Sequence, residues 1–320
     1  MNDEQLGVVI VSWNVRELLA RCLYSLFAEL ARSQIDARVI VVDNASRDGS
    51  PEMIRLQFPQ VELIACEDNL GFAKGNNVGL RALGLSHSAP GPTATPPSLL
   101  TDVRKGGEVL LLNPDTEVQP GAIKTLLDVM RSRSGTAMVT SRLSYGSGAF
   151  QHSAFHFPGM GQLYIDLLPA PARFYESRLN GRYPRRWYEA GQPFEIDTPL
   201  GAVMLLRCEA IEQVGFFDEE FTLYCEEIDW AARFKEAGWK NVCAPAAHII
   251  HHEGKSTSQV RVESFVKLWT SRYRLHTKHS QFAPLGLARQ IVITGMKRKM
   301  RDASPEMKAA CEKIIEIWKR

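Results

Sequence analysis

The chain has 320 residues, a formal charge of +2 and 45% hydrophobic residues, enough apolar matter for one large domain or two small ones. The near-neutral balance argues against a dedicated nucleic-acid binder, whose surface would be strongly basic. The six cysteines are scattered without a C-x-x-C spacing and read as buried, reduced thiols of a cytosolic protein rather than a disulfide or zinc framework.

No apolar run approaches the ~18 residues of a membrane span. The acidic, polar start at Met1–Gln5 begins no secretory signal. Val8–Asn14 reads as a first buried strand ending in polar residues. Asn14 is placed to cap the next helix, with Glu17 as capping-box partner. Leu18, Leu19, Cys22, Leu23, Leu26, Phe27 and Leu30 then recur at spacings of three and four, the mark of an amphipathic helix.

Val39–Asp43 is a second strand, followed by a polar loop, Asn44–Gly49. Ser50-Pro51-Glu52 starts a helix with a cap, a proline in its first turn and an acid favoured by the dipole. Val61–Ala65 is a third strand. A Gly- and Asn-rich run, Asp68–Gly79, leads into a helix reaching Leu85. Residues 86–107 hold Pro90, Pro92, Pro96 and Pro97 among Ser, Thr and Gly, and read as a flexible surface insertion rather than a domain boundary, with a functional lid as the alternative.

Val109–Leu112 is the central strand. It stops at Asn113-Pro114, where proline has no N–H for a ladder. Asp115 follows at once. In open α/β sheets ligands lie beyond the carboxyl ends of the strands, so Asp115 stands either as a ligand-facing acid or as a turn and helix-cap residue. Strand and helix alternate through four strands, which points to a parallel sheet with right-handed crossovers.

Ile123, Leu126, Leu127 and Met130 mark a further helix. Residues 144–194 read as irregular and aromatic, either as ordinary core or as the floor of a sugar or lipid-linked acceptor site. Glu195–Leu206 is a turn feeding a strand. A helix starts near Glu226 and ends before Gly238, a C-cap glycine. Val242–Ile250 is a last strand, ending in His251–Ser256, with His248 packed in the core. From 257 onward the chain is helical and basic. Its clusters at 297–301 and 319–320 read either as a solvated helix face or as a patch docking on an anionic membrane.

Acidic groups thus collect at strand ends: Asp43, Asp115, and Glu226, Glu227 and Asp229, with His248, His251 and His252 at a fourth. Oxygen donors with at most one imidazole suit Mg2+ or Mn2+. Mg2+ takes one or two carboxylates and fills its shell with phosphate oxygens, the need of a nucleotide diphosphate leaving group. A separate carboxylate, Glu226 or Glu227, could then deprotonate an attacking hydroxyl. Acids in a helix's first turn are also favourable on dipole grounds alone.

Eight motifs occur in one order: Val-Ile-Val-Ser-Trp-Asn at 9–14, Val-Val-Asp-Asn-Ala-Ser at 41–46, Asn-Leu-Gly-Phe-Ala-Lys-Gly-Asn-Asn-Val-Gly at 69–79, Leu-Leu-Asn-Pro-Asp at 111–115, Gly-Ala-Val-Met-Leu at 201–205, Phe-Asp-Glu at 217–219, Tyr-Cys-Glu-Glu-Ile-Asp-Trp at 224–230 and His-His-Glu-Gly-Lys-Ser at 251–256. With them the chain resembles the family-2 glycosyltransferases of the GT-A fold, in the rhamnosyltransferase-like group. The resemblance implies an α/β domain over 1–256, with a mainly parallel nucleotide-binding sheet flanked by helices, and a helical extension over 257–320. It implies inverting transfer of a sugar from a nucleotide donor.

By match, Asp43 binds base or ribose, with Ser12 and Asn14 near the nucleotide. Asn69, Gly71, Lys74 and Asn76 shape the same pocket. Asn113-Pro114-Asp115 stands for the family's Asp-x-Asp motif, with Asp115 as metal ligand and His251 completing the site for Mg2+ or Mn2+. Glu227 acts as base, with Glu226 as second choice and Asp229 in the same acidic motif. Gly201 and Ala202 line the donor or acceptor pocket.

The chain departs from the family pattern at Asn113, where an acid is usual, at Glu227, where many relatives carry Asp, and in the long Pro-rich insertion. The subgroup favours dTDP-L-rhamnose as donor, with UDP- or GDP-sugars close behind. The implied acceptor is a cell-surface polysaccharide or lipid-linked saccharide, and the implied location is the cytoplasm, including the inner face of the membrane. Two readings compete: a sugar nucleotidyltransferase, which would need a Gly-rich, Arg/Lys-bearing N-terminal signature, and a catalytically silent scaffold on the same fold.

Overall fold

The computed structural model describes residues 5–86, 107–252 and 261–320. The Pro-rich insertion, apart from its end residues, lies outside the described residues, as do Glu253–Ser256 and the expected boundary at 256/257.

The first half winds as expected: β1 (Leu6–Ser12), α1 (Arg16–Arg32), β2 (Ala37–Asp43), α2 (Ser50–Gln57), β3 (Glu62–Ala65), α3 (Gly71–Ala82) and β4 (Glu108–Leu112). These strands pair in parallel in the order β3-β2-β1-β4. Successive side chains of a strand point to opposite faces. Val8, Ile10, Val39, Val41, Leu110 and Leu112 therefore pack under α1 and α2 in one buried cluster. Val9, Ile40, Val42, Val109 and Leu111 pack under α3 in another. Burial on both faces explains the unbroken apolar runs. The strand order reverses between β1 and β4, and such a switch point opens a crevice at the carboxyl strand ends.

The second half departs from a simple parallel sheet. After β4 come β5 (Thr116–Val118), α4 (Ala122–Arg131), β6 (Thr136–Ser144), β7 (Phe150–Gln151), β8 (Ala154–Phe155), α5 (Met160–Leu167), α6 (Arg185–Glu189), β9 (Phe194–Ile196), β10 (Thr198–Pro199), β11 (Val203–Arg207), α7 (Cys208–Val214), α8 (Glu226–Glu236) and β12 (Lys240–His251). β11 lies antiparallel between β4 and β6, and β12 runs parallel to β6. β5 crosses to the far edge and pairs antiparallel with the end of β12, setting Thr116 opposite His251. The stretch 144–194, expected to be irregular, holds short strands and helices. Helices α9 (Arg261–Lys278), α10 (Leu285–Lys299) and α11 (Pro305–Lys319) complete the chain. Five of the six cysteines are buried, Cys66 is half-buried, and all are free.

Two capping expectations are corrected: Ser50 is the first residue of α2 rather than its cap, which is Gly49. Asn14 makes no cap for α1. It sits at φ +52° and its Oδ1 accepts from Arg47 N instead. Asp48 satisfies both neighbouring helix starts: Oδ2 accepts from Arg16 N at 2.8 Å, and Oδ1 accepts from Ser50 N and from its hydroxyl. These charge-assisted bonds hold the Asp48 carboxyl below its usual range against a burial cost.

Candidate active site

The donor side is built at the ends of β1 and β2. Ser12 and Asp43 are register neighbours, both buried. Asp43 Oδ1 accepts from Ser46 N at 2.9 Å, and Asn14 N donates to Ser46 Oγ at 2.9 Å, so the two loops are laced together. Asn14 and Ala45 both take left-handed backbone there. Asp43 Oδ2, Ser12 Oγ and Asn44 Oδ1 are buried without a hydrogen-bond partner. Buried polar atoms are ordinarily satisfied, so an orphaned trio at a switch point reads as an unfilled ligand site.

The 69–79 motif divides between pocket and scaffold. Asn69 Oδ1 accepts from Gly71 N, and Asn44 Nδ2 donates to Gly71 O at 3.1 Å. Gly71 has φ +79°, and a Cβ there would meet Thr222 O at 2.7 Å, so only glycine fits. Asn76 is buried and donates within its own helix to Phe72 O, while Lys74 is exposed beside Glu219. Asn77, which sequence reasoning passed over, clamps the Phe-Asp-Glu loop. Its Nδ2 donates to Phe217 O and its Oδ1 accepts from Phe217 N.

The metal side follows from β5 crossing to β12. Asp115, 7% exposed, lies with Oδ1 at 3.3 Å from His251 Nε2. The other ring nitrogen, Nδ1, faces Gln151 Oε1 at 3.2 Å. In the tautomer whose Nδ1–H donates to Gln151, Nε2 is free to hold a cation beside Asp115. Two acceptors at that spacing need a proton or a cation between them. The spacing matches neighbouring donors on one Mg2+-sized ion, about 3 Å apart for bonds of ~2.1 Å. No group of three such donors occurs among the described residues; a cation held by Asp115 and His251 would need its remaining ligands from phosphates or water. The residues fit the group.

This loop is braced from below. Thr116 Oγ1 donates to Asn113 O at 2.8 Å, Asn113 N donates to Ala202 O at 2.9 Å, and His252 N donates to Asp115 O at 2.8 Å. Gln151, which orients His251, was not legible because nothing marks its two-residue strand. His248 is half-buried, 2.9 Å from Ser144 Oγ.

The acidic side stands across Gly201–Ala202. A Cβ on Gly201 would contact Glu227 Cγ at 3.7 Å, while Ala202 holds Asn113. Tyr224 and Cys225, just before α8, have φ of +67° and +68°. Left-handed backbone at consecutive non-glycine residues is strained, and strain of this kind collects at functional sites. Burial pushes the Glu227 carboxyl up to about 7. Glu226 is more deeply buried, with Oε2 unpartnered, and burial and then the neighbouring Glu227 charge push it well above the carboxylate range. Both shifts favour the protonated carboxyl, more strongly at Glu226.

Asp229 requires a correction. The sequence groups it with the catalytic acids, but it is fully buried and turned to α9. Arg233 Nε donates to its Oδ2 at 2.9 Å, while Lys278 Nζ at 2.7 Å and His279 Nε2 at 2.8 Å engage its Oδ1. It positions α8 and does not face the crevice acids.

Comparison with known proteins agrees with this architecture. Residues 7–84 match the family model described as Glycosyl transferase family 2. The chain is 28% identical over 264 residues to the N-acetylglucosaminyl-diphospho-decaprenol L-rhamnosyltransferase of Mycobacterium tuberculosis, covering 79% of this chain and 78% of that relative. Its fold is similar to that of GalNAc-T7 solved with UDP, GalNAc and Mn2+ (TM-score 0.53, 16% identity, 77% of this chain and 43% of that one). It is also similar to the mannosyltransferase PcManGT from Pyrobaculum calidifontis in complex with GDP-Man and Mn2+ (TM-score 0.51, 13% identity, 98% of this chain and 69% of that one). The resemblance to family-2 glycosyltransferases, including a rhamnosyltransferase relative, and the GT-A fold both stand.

Proposed function

We propose that this glycosyltransferase moves a sugar, L-rhamnose from dTDP-L-rhamnose as first choice, to a hydroxyl of a lipid-linked saccharide, with inversion at the anomeric carbon. The observation that carries the reading is the pairing, on either side of Gly201–Ala202, of a bare Asp115/His251 donor pair with a carboxylate poised near neutral pH. The orphaned oxygens of Ser12, Asp43 and Asn44 support a nucleoside seat at the switch point. The rhamnosyltransferase relative supports the sugar and the lipid-linked acceptor. The working location is the cytoplasm, at the inner face of the cell membrane; among the described residues no helix is long and apolar enough to cross it.

In the proposed reaction Asp43 and Ser12 hold the base and ribose. Asp115 and His251 hold a divalent cation, Mg2+ or Mn2+, which when bound offsets charge on the donor diphosphate. Glu227 takes the proton of the acceptor hydroxyl as its oxygen bonds to the anomeric carbon and the carbon–diphosphate bond breaks. Asn113, held by Ala202 and Thr116, fixes the position of Asp115.

The test is a thermal-shift panel of dTDP, UDP and GDP with and without Mn2+ or Mg2+, followed by acceptor-dependent nucleotide release. A ligand selective for the folded state raises stability by about 2.7 kcal/mol at a hundred times its Kd. Asp115→Asn abolishes the metal-dependent shift and turnover together; Glu227→Gln abolishes turnover and keeps the shift. No nucleotide shift in the native chain would favour the scaffold reading, and turnover retained in Glu227→Gln would remove Glu227 as base.

A further inference from the structure

Four of the eight large hydrophobic side chains exposed among the described residues fall within residues 164–187: Tyr164 (47%), Tyr175 (44%), Leu179 (56%) and Trp187 (40%). The same segment carries five arginines at 173, 178, 182, 185 and 186, and from 173 to 189 only two acids, Glu176 and Glu189. Both acids are engaged. Glu176 Oε2 lies 2.8 Å from His152 Nε2, and Glu189 pairs with Arg185 at 3.2 Å. Asp166, earlier in the segment, pairs with Arg272 at 2.7 Å. Arg182 is half-buried, and Arg173, Arg178 and Arg186 are exposed.

Three guanidinium groups sit over rings, Arg173 over Phe174, Arg182 over Phe155 and Arg185 over Phe150, at 4.7–5.1 Å from the centroids. Leu179 packs against Gly161 of α5, one turn before Tyr164, so these two exposed apolar groups share α5, while Trp187 stands beside Tyr183 and Phe194. Stacked cations beside tyrosine and tryptophan are the composition that settles at a membrane–water interface. The rings sit at headgroup depth and the cations face anionic lipid. A solvated loop has no need of this composition.

We propose that residues 164–187 dock on an anionic lipid bilayer, presenting the crevice to a lipid-linked acceptor. The proposal deepens, and rests on, the reading of the acceptor as lipid-linked. The link to the site is short: Glu176 holds His152, and the adjacent Gln151 orients His251. The basic stretch at 297–301, whose composition first suggested membrane contact, follows Gly295 of α10, which packs against Leu167 of α5, so its share is tested separately.

The experiment is co-sedimentation of the full chain with phosphatidylcholine vesicles, with and without 30% phosphatidylglycerol as an order-of-magnitude choice of anionic content. Binding is expected to the anionic vesicles alone and to fall with added salt. Each cation at such a surface is worth about fivefold in partitioning, so R178E/R186E lowers it by roughly 25-fold or more. L179S lowers it severalfold, and K297E/R298E leaves it within about twofold. Equal binding to neutral vesicles, an unaffected R178E/R186E variant, or loss confined to K297E/R298E would each overturn the proposal. Vesicle binding is read without substrate. Failure of the nucleotide thermal shift in the native chain would sink the functional reading separately, and R178E/R186E must keep that shift for its vesicle result to count.

Discussion

Glu227 sits where its charged form is disfavoured, and that is what suits it to accept a proton near neutral pH. Burial is the main cause of its rise to about 7. As the proposed base it must be ionised, so kcat/KM should climb with pH and level off above ~7. Glu227→Gln should lose roughly 10²–10⁴-fold and show no such limb. The same shift makes a prediction about stability. An acid whose folded-state pKa is raised costs nothing below its unfolded value near 4.5. Stability then drains away up to about 7, where the folded state ionises too, and the deficit is constant above that. Glu227→Gln should therefore be more stable than the native chain at pH 8, by up to about 3 kcal/mol, and no different at pH 4, as urea titrations at the two values would show. A variant less stable at pH 8 would mean that the Glu227 carboxylate is satisfied in the folded chain. Glu226 is more deeply buried, and burial and then the Glu227 charge push its carboxyl well above the usual carboxylate range.

At the scale of elements, α8 brings Glu227 to the crevice because Asp229, one helical face away, anchors it to α9. Asp229→Ala leaves Lys278 and Arg233 facing a buried gap, an arrangement that costs about 3 kcal/mol. Equilibrium denaturation should show that loss at pH 7. The Asp229 and Asp218 carboxyls are held below the usual range by their cationic partners, so their stabilisation is present at neutral pH and fades as pH falls below about 4. The acid limb of the native stability curve should be shallower in Asp229→Ala. Helix α3 is seated by a different device. A Cβ on Gly79 would overlap Val9, and one on Gly75 would meet Val11 Cγ1 at 2.8 Å, so the motif's glycines bring helix and strand together. Gly79→Ala should cost about 1–3 kcal/mol by overpacking, readable as a lower melting temperature. The strands and helices up to β4 could be read from the sequence because their apolar runs and three-four periodicity are local signals. The direction of β11 and the crossing of β5 could not, since strand partners are chosen by distant segments. The same limit hid Gln151, and it hid Asp48, which outcompeted Asn14 as a cap from across the crevice.

At the scale of the whole molecule, the basic C-terminal helices are tied into the fold by two apolar clusters. Trp269, Val292, Met296, Ile314 and Trp318 pack with Leu163 of α5 in one of them. Leu275 of α9 packs with Phe221 and Cys225, at the mouth of α8, in the other. Trp318 Nε1 also donates to Trp269 O at 3.0 Å, closing the last helix onto the first of the three. α9 therefore supports the left-handed turn before Glu226 from one side and Asp229 from the other. We propose that the extension beyond 257 and the sheet unfold as one cooperative unit. Trp318→Ala removes a fully buried side chain, at a cost of about 3–5 kcal/mol. In one cooperative unit that loss lowers a single melting transition by several degrees, and nucleotide diphosphate raises the same transition back. Were the three helices a separate domain, calorimetry would resolve two transitions. Trp318→Ala would then move only the one that nucleotide leaves alone, and Glu227 would keep its proton affinity after the helices had melted.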